Sequence, residues 1–534
     1  MKIQTTKRQA TNFFSEKDLL LSESQHELSD FIGIPFSKDA FQKQAQLKSK
    51  EFSSEKRELL VKVLQKNYAK IDGNQISLKN ISALKNENCF TITTGHQLSL
   101  LTGPIYFIYK ILHVIKQCDE LKISYPDLQF VPIYWMASED HDFEEIKSFL
   151  LFGKEIKWNT EQSGAVGRMT LEGLQEVKNK IAAIFQNNDN SEAKEWIDKL
   201  NGETYGEAFF ELIHHLFGKH GLLILDADNP NLKKAFSPIL KEELTSFFSM
   251  EEVLKTNKRL LGRNIKPKVN PREINLFFLS KNKRERIIYE NNKYKIGAHH
   301  FSKEEVFQML EKMPESFSPN VILRPLYQEY ILPNLCYVGG LGELNYWLQL
   351  KSSFERVNLT FPLIQVRSSL IWIDSSTKNK MNSVSLSEAD IFRTTNELTK
   401  SYISENENEK DTIDFSEINE HASNLKKEIL TKTLAIDRAL NPFIEAEITR
   451  IEKQLEAIQS KLEKSVKLKH EKALKTIVQI KEKLFPNNNL QERSLNFLQL
   501  CKNGEISSFI ETIFQTIDPF NSDILILTEE HEAK

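Results

Sequence analysis

The 534-residue sequence has no apolar run near the roughly 18 residues that a membrane-spanning helix needs. Its first residues, MKIQTTKRQATNFFSEKDLL, lack the apolar stretch of a signal peptide, so a cytoplasmic protein without membrane contact is expected. Neither sign of charge is in excess: 71 Lys and Arg stand against 74 Asp and Glu, a formal net charge of -3. That balance supplies no field to gather nucleic acid or anionic lipid, so nucleic acid is not an expected partner. Cysteine is scarce. The four present, Cys89, Cys118, Cys336 and Cys501, are far apart and follow no CxxC or Cys/His ligand spacing. They read as reduced thiols packed as small apolar side chains, and no metal centre is expected. The glycines match neither GxGxxG nor GxxxxGK followed by Ser or Thr, so spacing alone points to no nucleotide. A chain of this length exceeds one core, and two or three domains are expected.

What is present centres on Phe90 to Ile146, which reads as strand, loop, helix, strand and polar turn. A strand at Phe90 to Thr93 breaks at Gly95 and places His96 and Gln97 at its carboxyl end. Pro104 suits the first position of a helix whose Ile105, Ile108, Ile111, Leu112, Ile115 and Cys118 share one face. The next strand, Phe130 to Met136, is nearly all apolar, as a strand covered on both faces should be, and ends in Ser138-Glu139-Asp140-His141-Asp142. Both polar clusters, TGHQ and SEDHD, therefore leave the same edge of an α/β sheet, the edge where open sheets bind ligands.

Residues before Asn88 read as a charged helical lead-in, and Lys147 to Asn201, with its SGAVGR loop, as an insertion. Leu222 to Leu225 is a short strand ended by Asp226-Ala227-Asp228. Pro271 to Leu279 alternates into a strand, followed by a charged KNKRER loop and an IIYENNKYKI hairpin. Leu335 to Val338 runs into Gly339-Gly340-Leu341-Gly342 and a helix from Glu343, and Phe361 to Val366 is a buried strand ending at Arg367. Beyond Ser375 the chain is charged and helical. Ile448, Ile451, Leu455, Ile458 and Leu462 step by 3, 4, 3, 4, the seam of a coiled coil, with a register shift near Ser465 to Lys472 that reads as a stutter or the tip of an antiparallel hairpin. Asp523 to Leu527 is a last strand.

Each site candidate has a structural alternative. His96 is a candidate general base or anion ligand, or a structural histidine. The SEDHD turn is suited to hold Mg²⁺ or orient an amine, yet Asp142 followed by Glu145 also resembles a helix capping box. Adjacent glycines in GGLGE suit backbone approach to an anion, or simply a tight turn. Arg324 and Arg367 are candidate carboxylate grips, or partners of core acids.

The segments TGHQLSLLTGPIYFIYK, VPIYWMASEDHDFEEI, SGAVGRMTLEGL, HGLLILDADNP, PREINLFFL, SPNVILRPLYQEYILPNLCYVGGLGELNYWLQL and PNNNLQERSLN, in that order, resemble the bacillithiol biosynthesis cysteine-adding enzymes, the BshC family, over nearly the whole chain. The resemblance implies an α/β fold: a Rossmann-like parallel-sheet core with α+β connecting insertions and a long antiparallel coiled-coil arm pairing subunits as a homodimer. It implies a ligase that adds cysteine to the amine of glucosaminyl-malate in the last step of the pathway. Joining a free carboxylate to an amine needs activation, so ATP with Mg²⁺ is the candidate cofactor. The expected domains are a core at 1–375 with inserts at about 147–210 and 231–320, a helical domain at 376–486, and a segment at 487–534 returning to the core. His96, Asp140, His141 and Asp142 are the candidate catalytic residues. Thr94, Gly95, Gln97, Gly103, Gly339, Gly340, Gly342 and Glu343 are candidates for binding substrate or nucleotide, with Arg324 or Arg367 on the malate carboxylates. The rival readings are a nucleotidyltransferase or aminoacyl-tRNA-synthetase-like activator, and a non-enzymatic coiled-coil scaffold.

Overall fold

Apolar residues without a polar face build the central sheet. Cys89–His96 (β1) is buried except at its last residue, and Gln129–Met136 (β2) except at its first. With Leu223–Asp226 (β3), Asn334–Gly339 (β4) and Leu363–Val366 (β5) they form a five-stranded sheet in the order β5-β4-β1-β2-β3. Every pairing in it is parallel. Parallel strands are covered on both faces, which is why these segments read as continuous apolar runs. The order of connection reverses between β1 and β4, and such a switch point opens a crevice at the carboxyl ends of the strands. On one face Val114, Cys118 and Leu121 of the helix Tyr106–Ser124 (α1) join Phe90, Ile92, Phe130, Leu335 and Val338 in a core that also takes Phe41 and Ala45 from the N-terminal helices.

The structure is a computed structural model that describes residues 3–9, 20, 27–185, 191–405 and 415–530. Parts of the predicted helical lead-in, at 10–19 and 21–26, lie outside the described residues, as do the last four residues, 531–534. Two compact units are present: Thr6–Leu370 with Glu492–Leu525, and Met1–Thr5, Ile371–Gln491 with Ile526–Lys534. The larger unit holds the parallel sheet and a second, antiparallel five-stranded sheet, in the order His299–Phe301, Lys293–Ile296, Arg284–Glu290, Leu276–Leu279 and Phe317–Pro319. The predicted charged loop is thus shorter than KNKRER, because Arg284 and Arg286 already belong to a strand. Ile3–Arg8, Ile524–Glu529 and Ser369–Ile373 form a separate three-stranded sheet, so the last predicted strand exists but lies outside the parallel sheet.

Two predicted boundaries move for identifiable reasons. α1 begins at Tyr106, beyond Pro104. Before it Leu101, Thr102 and Gly103 take φ of 47°, 70° and 60°, and this turn is tied down when Asn496 Nδ2 donates to the carbonyls of Leu101 and Gly103. In the smaller unit the hairpin tip is not at Ser465 to Lys472. Ser416–Ile436 (α2) turns at Arg438–Leu440 and packs back along Asn441–Lys469 (α3), with Lys426 Nζ 3.0 Å from Glu452 Oε1. A break at His470 separates α3 from Glu471–Leu484 (α4), whose Ile477, Ile480 and Leu484 are buried where it packs on Ser375–Ser383 and Thr395–Ser404. The apolar face of α4 is therefore used within its own unit, and α2 is the partner of the heptad stripe. No helix among the described residues is long and apolar enough to cross a membrane.

Candidate active site

A cavity of about 700 Å³ opens at the switch point, lined by the ends of β1, β2 and β4 and by the inserted antiparallel sheet. The TGHQ and SEDHD clusters meet there. Gln97 Nε2 donates to Asp140 Oδ2 at 2.8 Å and to Glu145 Oε2 at 3.1 Å, and Tyr134 at the end of β2 donates its hydroxyl to the His96 carbonyl. The SGAVGR loop braces the same turn, since Val166 N–H donates to Asp140 O at 2.7 Å and Gly167 N–H to Ser138 O at 2.8 Å. A Cβ on Gly167 would lie 2.9 Å from that Ser138 oxygen, so glycine is what allows the approach.

His96 is held by two hydrogen bonds that define its tautomer. Its Nδ1 lies 3.1 Å from the Gln97 carbonyl and must donate, so Nε2 is bare and accepts from the Tyr106 hydroxyl at 3.0 Å. Burial, reinforced by Lys110, holds the imidazole down at about 3. It is therefore neutral near pH 7, and its chemistry is to orient Tyr106, whose ring stacks on it at 5.3 Å and carries the Arg367 guanidinium at 4.9 Å.

The three polar residues of the SEDHD turn that were predicted as catalytic occupy different positions. Asp140 lines the cavity; burial raises its carboxyl, but hydrogen bonds from His141, Gln97 and Asp142 outweigh this and hold it well below its ordinary value. His141 stands beside Phe277 and Arg284, outside the cavity lining. Asp142 accepts from Glu145 N–H and caps the helix Phe143–Ile146. Asp142→Ala is expected to cost about 1 kcal/mol of stability in a denaturant melt and to leave any turnover intact.

The GGLGE turn already carries an anion of its own. Glu343 accepts from the Tyr337 hydroxyl and from Lys110 Nζ at 2.9 Å, and Lys110 also donates to Gly95 O at 2.7 Å. Burial raises the Glu343 carboxyl, yet Lys110 and Arg324 outweigh it and keep it below its ordinary value. A Cβ on Gly340 or Gly342 would meet nothing within 4 Å, so these glycines border open cavity, whereas one on Gly339 would lie 2.9 Å from Leu344 Cδ2. Gly103 and Thr94 are structural: a Cβ on Gly103 would lie 2.6 Å from Ser99 Cβ, and Thr94 Oγ1 donates to Val338 O at 2.8 Å.

Both arginines expected on a carboxylate are committed to the protein. Arg367 Nη2 donates to Glu492 Oε1 at 2.6 Å and its Nη1 to Ser368 O at 2.9 Å. Arg324 donates to Gln328 and Tyr346 and lies 3.9 Å from Glu343 Oε1. The cations that line the cavity and make no side-chain hydrogen bond or ion pair among the described residues are Arg272, Arg286 and Arg493, whereas Arg284 is held by Ser318 Oγ and Pro319 O. Sequence reasoning quoted all three, in PREINLFFL, KNKRER and QERSLN, without assigning them to the site. Their distance from one another in the chain concealed the common wall. Lys110 and Tyr106 were missed because both lie on a helix whose apolar period was the stronger signal, whereas Glu139 was read within the SEDHD turn without the role given to its three neighbours.

Behind the SEDHD turn lies an acid cluster. Arg168 grips Asp228 through Nε at 2.6 Å and Nη2 at 2.8 Å, and Asp226 accepts from Ser138 Oγ and from Asp228 N–H at 2.9 Å. Burial and then Asp228 push the Asp226 carboxyl up to about 6, from an ordinary 3.8. The stability linked to its proton is complete below the ordinary value and is lost as pH rises through 6. Asp226→Asn is expected to melt higher than the parent at about pH 8 and to show no such gain at about pH 4, by calorimetry.

Residues 1–368 match the family model described as the bacillithiol biosynthesis BshC N-terminal Rossmann-like domain, and residues 370–529 that of the BshC C-terminal coiled-coil domain. Curated relatives carry the name "Putative cysteine ligase BshC". That of Flavobacterium psychrophilum is 40% identical over 501 residues, 92% of this chain and 93% of that protein. That of Flavobacterium johnsoniae is 38% identical over 529 residues, 97% of this chain and 98% of that protein. That of Bacillus anthracis is 28% identical over 488 residues, 88% of this chain and 90% of that protein.

Proposed function

The chain belongs to the bacillithiol biosynthesis BshC family, and on that premise we propose that it is a cytoplasmic ligase joining the carboxyl group of cysteine to the amine of glucosaminyl-malate as an amide. The observation that carries this reading is the wall of three unpaired guanidinium groups, Arg272, Arg286 and Arg493, in a cavity that also presents buried carboxyls. Guanidinium matches carboxylate in a planar, two-point fit, and malate brings two carboxylates. A ligand that is anionic at one end and carries an ammonium at the other suits both walls. The protein's own thiols take no part in acyl transfer: Cys89, Cys118, Cys336 and Cys501 are all buried, and burial pushes the Cys89 thiol up to about 12.

ATP is the simplest activator, and the unpaired arginines fit a phosphate chain in charge; when bound it would supply the leaving group that makes the cysteine carboxyl acylating. Mg²⁺ fits the chain's own carboxylates less well, because both oxygens of Asp140 and of Glu343 already accept hydrogen bonds. The ion would come on the phosphates. The test is to incubate the protein with cysteine, glucosaminyl-malate and candidate nucleotides and to look for the amide product by mass; its absence under every nucleotide would overturn the reading. Arg272→Ala and Arg493→Ala are each expected to raise KM for glucosaminyl-malate by about 10- to 100-fold, which is roughly 1.4 to 2.8 kcal/mol. A synthetase acting on tRNA is disfavoured by the near-neutral net charge of -3. The exposed half of the coiled-coil stripe supports a homodimer.

A further inference from the structure

Amide formation at this cavity needs a group that takes a proton from the attacking ammonium, and the structure assigns that role to Glu139, the acid next to the three residues predicted as catalytic. The assignment rests on the ligase reading for its substrate and on elimination for its residue. Among the described residues the cavity is lined by one imidazole and three carboxyls, those of His96, Glu139, Asp140 and Glu343. His96 has both nitrogens engaged, by the Gln97 carbonyl and the Tyr106 hydroxyl. Asp140 accepts on Oδ1 from the N–H groups of His141 and Asp142 and on Oδ2 from Gln97. Glu343 accepts on one oxygen from Tyr337 and on the other from Lys110.

Glu139 differs. Its Oε1 accepts from Lys233 Nζ, a lysine with no exposed side-chain surface that also donates to Phe317 O at 2.8 Å. Its Oε2 has no partner among the described residues and keeps accessible surface, on a residue that lines the cavity. One oxygen is thus anchored and the other is free, the arrangement that presents a carboxylate lone pair to a bound ammonium. The charged and titratable groups around it are Lys233 on the helix Pro230–Ser246, Asp226 at the end of β3 and Asp228 just beyond it, Arg168 in the bracing loop, Arg284 on the inserted sheet, and Tyr327. Burial raises the Glu139 carboxyl above its ordinary value, and Lys233 offsets part of that rise. A raised carboxyl is the better match to a proton transfer near neutral pH.

The step balances as follows. The substrate ammonium gives one proton to Glu139, and the freed nitrogen lone pair forms the C–N bond to the activated carboxyl carbon of cysteine. The C–O bond to an anionic leaving group such as phosphate breaks with its electron pair on oxygen, and the second N–H proton leaves on that oxygen. One N–H remains in the amide.

The test uses the full chain and glucosaminyl-malate. Glu139→Gln is expected to lower kcat by about 100- to 10,000-fold with little change in KM, and to remove the acidic limb of the pH profile. Glu139→Asp is expected to recover part of the rate and keep that limb. Turnover of Glu139→Gln at the parental rate with the same limb would overturn the assignment. A second readout does not depend on turnover. In calorimetry at mildly acidic pH, in buffers of different ionisation enthalpy, the parent is expected to release protons on binding the amine, because the ammonium favours ionised Glu139, and Glu139→Gln is not. Equal proton release in both would overturn the assignment. If no protein forms the amide product, the ligase reading falls while this comparison still decides Glu139. If the amine does not bind at all, both fall.

Discussion

Arg367→Ala is expected to destabilise the larger unit by about 3 to 5 kcal/mol, a loss far greater than the removal of an exposed ion pair would cause. Glu492 is 1% exposed and its side chain is gripped by Arg367 at 2.6 Å, with further hydrogen bonds from Ser369 Oγ at 3.3 Å and Leu370 N–H at 3.1 Å. Alanine leaves that carboxyl buried beside two weak donors and without its counter-ion. Replacing both partners by apolar residues of similar volume, Arg367→Met with Glu492→Leu, is expected to recover much of the loss, because desolvating an ion pair costs nearly as much as the pair returns. Urea unfolding followed by tryptophan fluorescence measures this, since Trp135, Trp158, Trp196 and Trp347 are all buried in that unit. A loss within about 1 kcal/mol would show that the pair is a solvated contact. The same experiment bears on the site, because a residue predicted to grip malate is instead holding the cavity wall.

Ile451→Asp with Ile458→Asp is expected to give a monomer by light scattering. The heptad stripe of α3 is only half used within one chain: Ile448 is buried, Leu455 and Leu462 are partly covered, and Ile451 and Ile458 stay 45% and 51% exposed. Ile418 and Leu425 of α2 are similarly exposed, at 42% and 51%. A second copy of the hairpin would cover these positions, and each large apolar side chain so buried contributes roughly 1.5 to 3 kcal/mol. With two substitutions on each side of a symmetric contact, dissociation should strengthen by well over about a hundredfold. The melting of the larger unit should not change, as both residues lie in the smaller one. A variant that remains dimeric would place the subunit contact elsewhere.

Much of the scaffold was readable because its signals are local. Continuous apolar runs marked β2 and β4, helical spacing marked α1, and the position of TGHQ and SEDHD after their strands placed both clusters at one edge. That geometry follows from the period of two in strands and 3.6 in helices, which a linear chain displays directly. The errors were equally physical. The start of α1 was misplaced because its loop is held by Asn496, a residue distant in sequence. The tip of the hairpin stays open in the sequence between a stutter and a turn near Ser465 to Lys472, because the apolar faces of α2 and α4 look alike there and only packing decides which one α3 meets.

The site divides in the same way. Sequence alone determined the residue types at the strand ends, the absence of a nucleotide-binding glycine pattern, and thiols without ligand spacing, since composition and spacing are properties of the chain itself. Only the tertiary structure decided which charges are free. Arg324 and Arg367 are as basic as Arg272, Arg286 and Arg493, and Asp140 is as acidic as Glu139. What separates them is how many of their polar atoms are taken by neighbours: Glu492 occupies Arg367 and both oxygens of Asp140 accept hydrogen bonds, one of them from Gln97, whereas Lys233 takes a single oxygen of Glu139. Charge is carried by a residue, but its availability is set by its neighbours in space, and those neighbours are chosen by the fold.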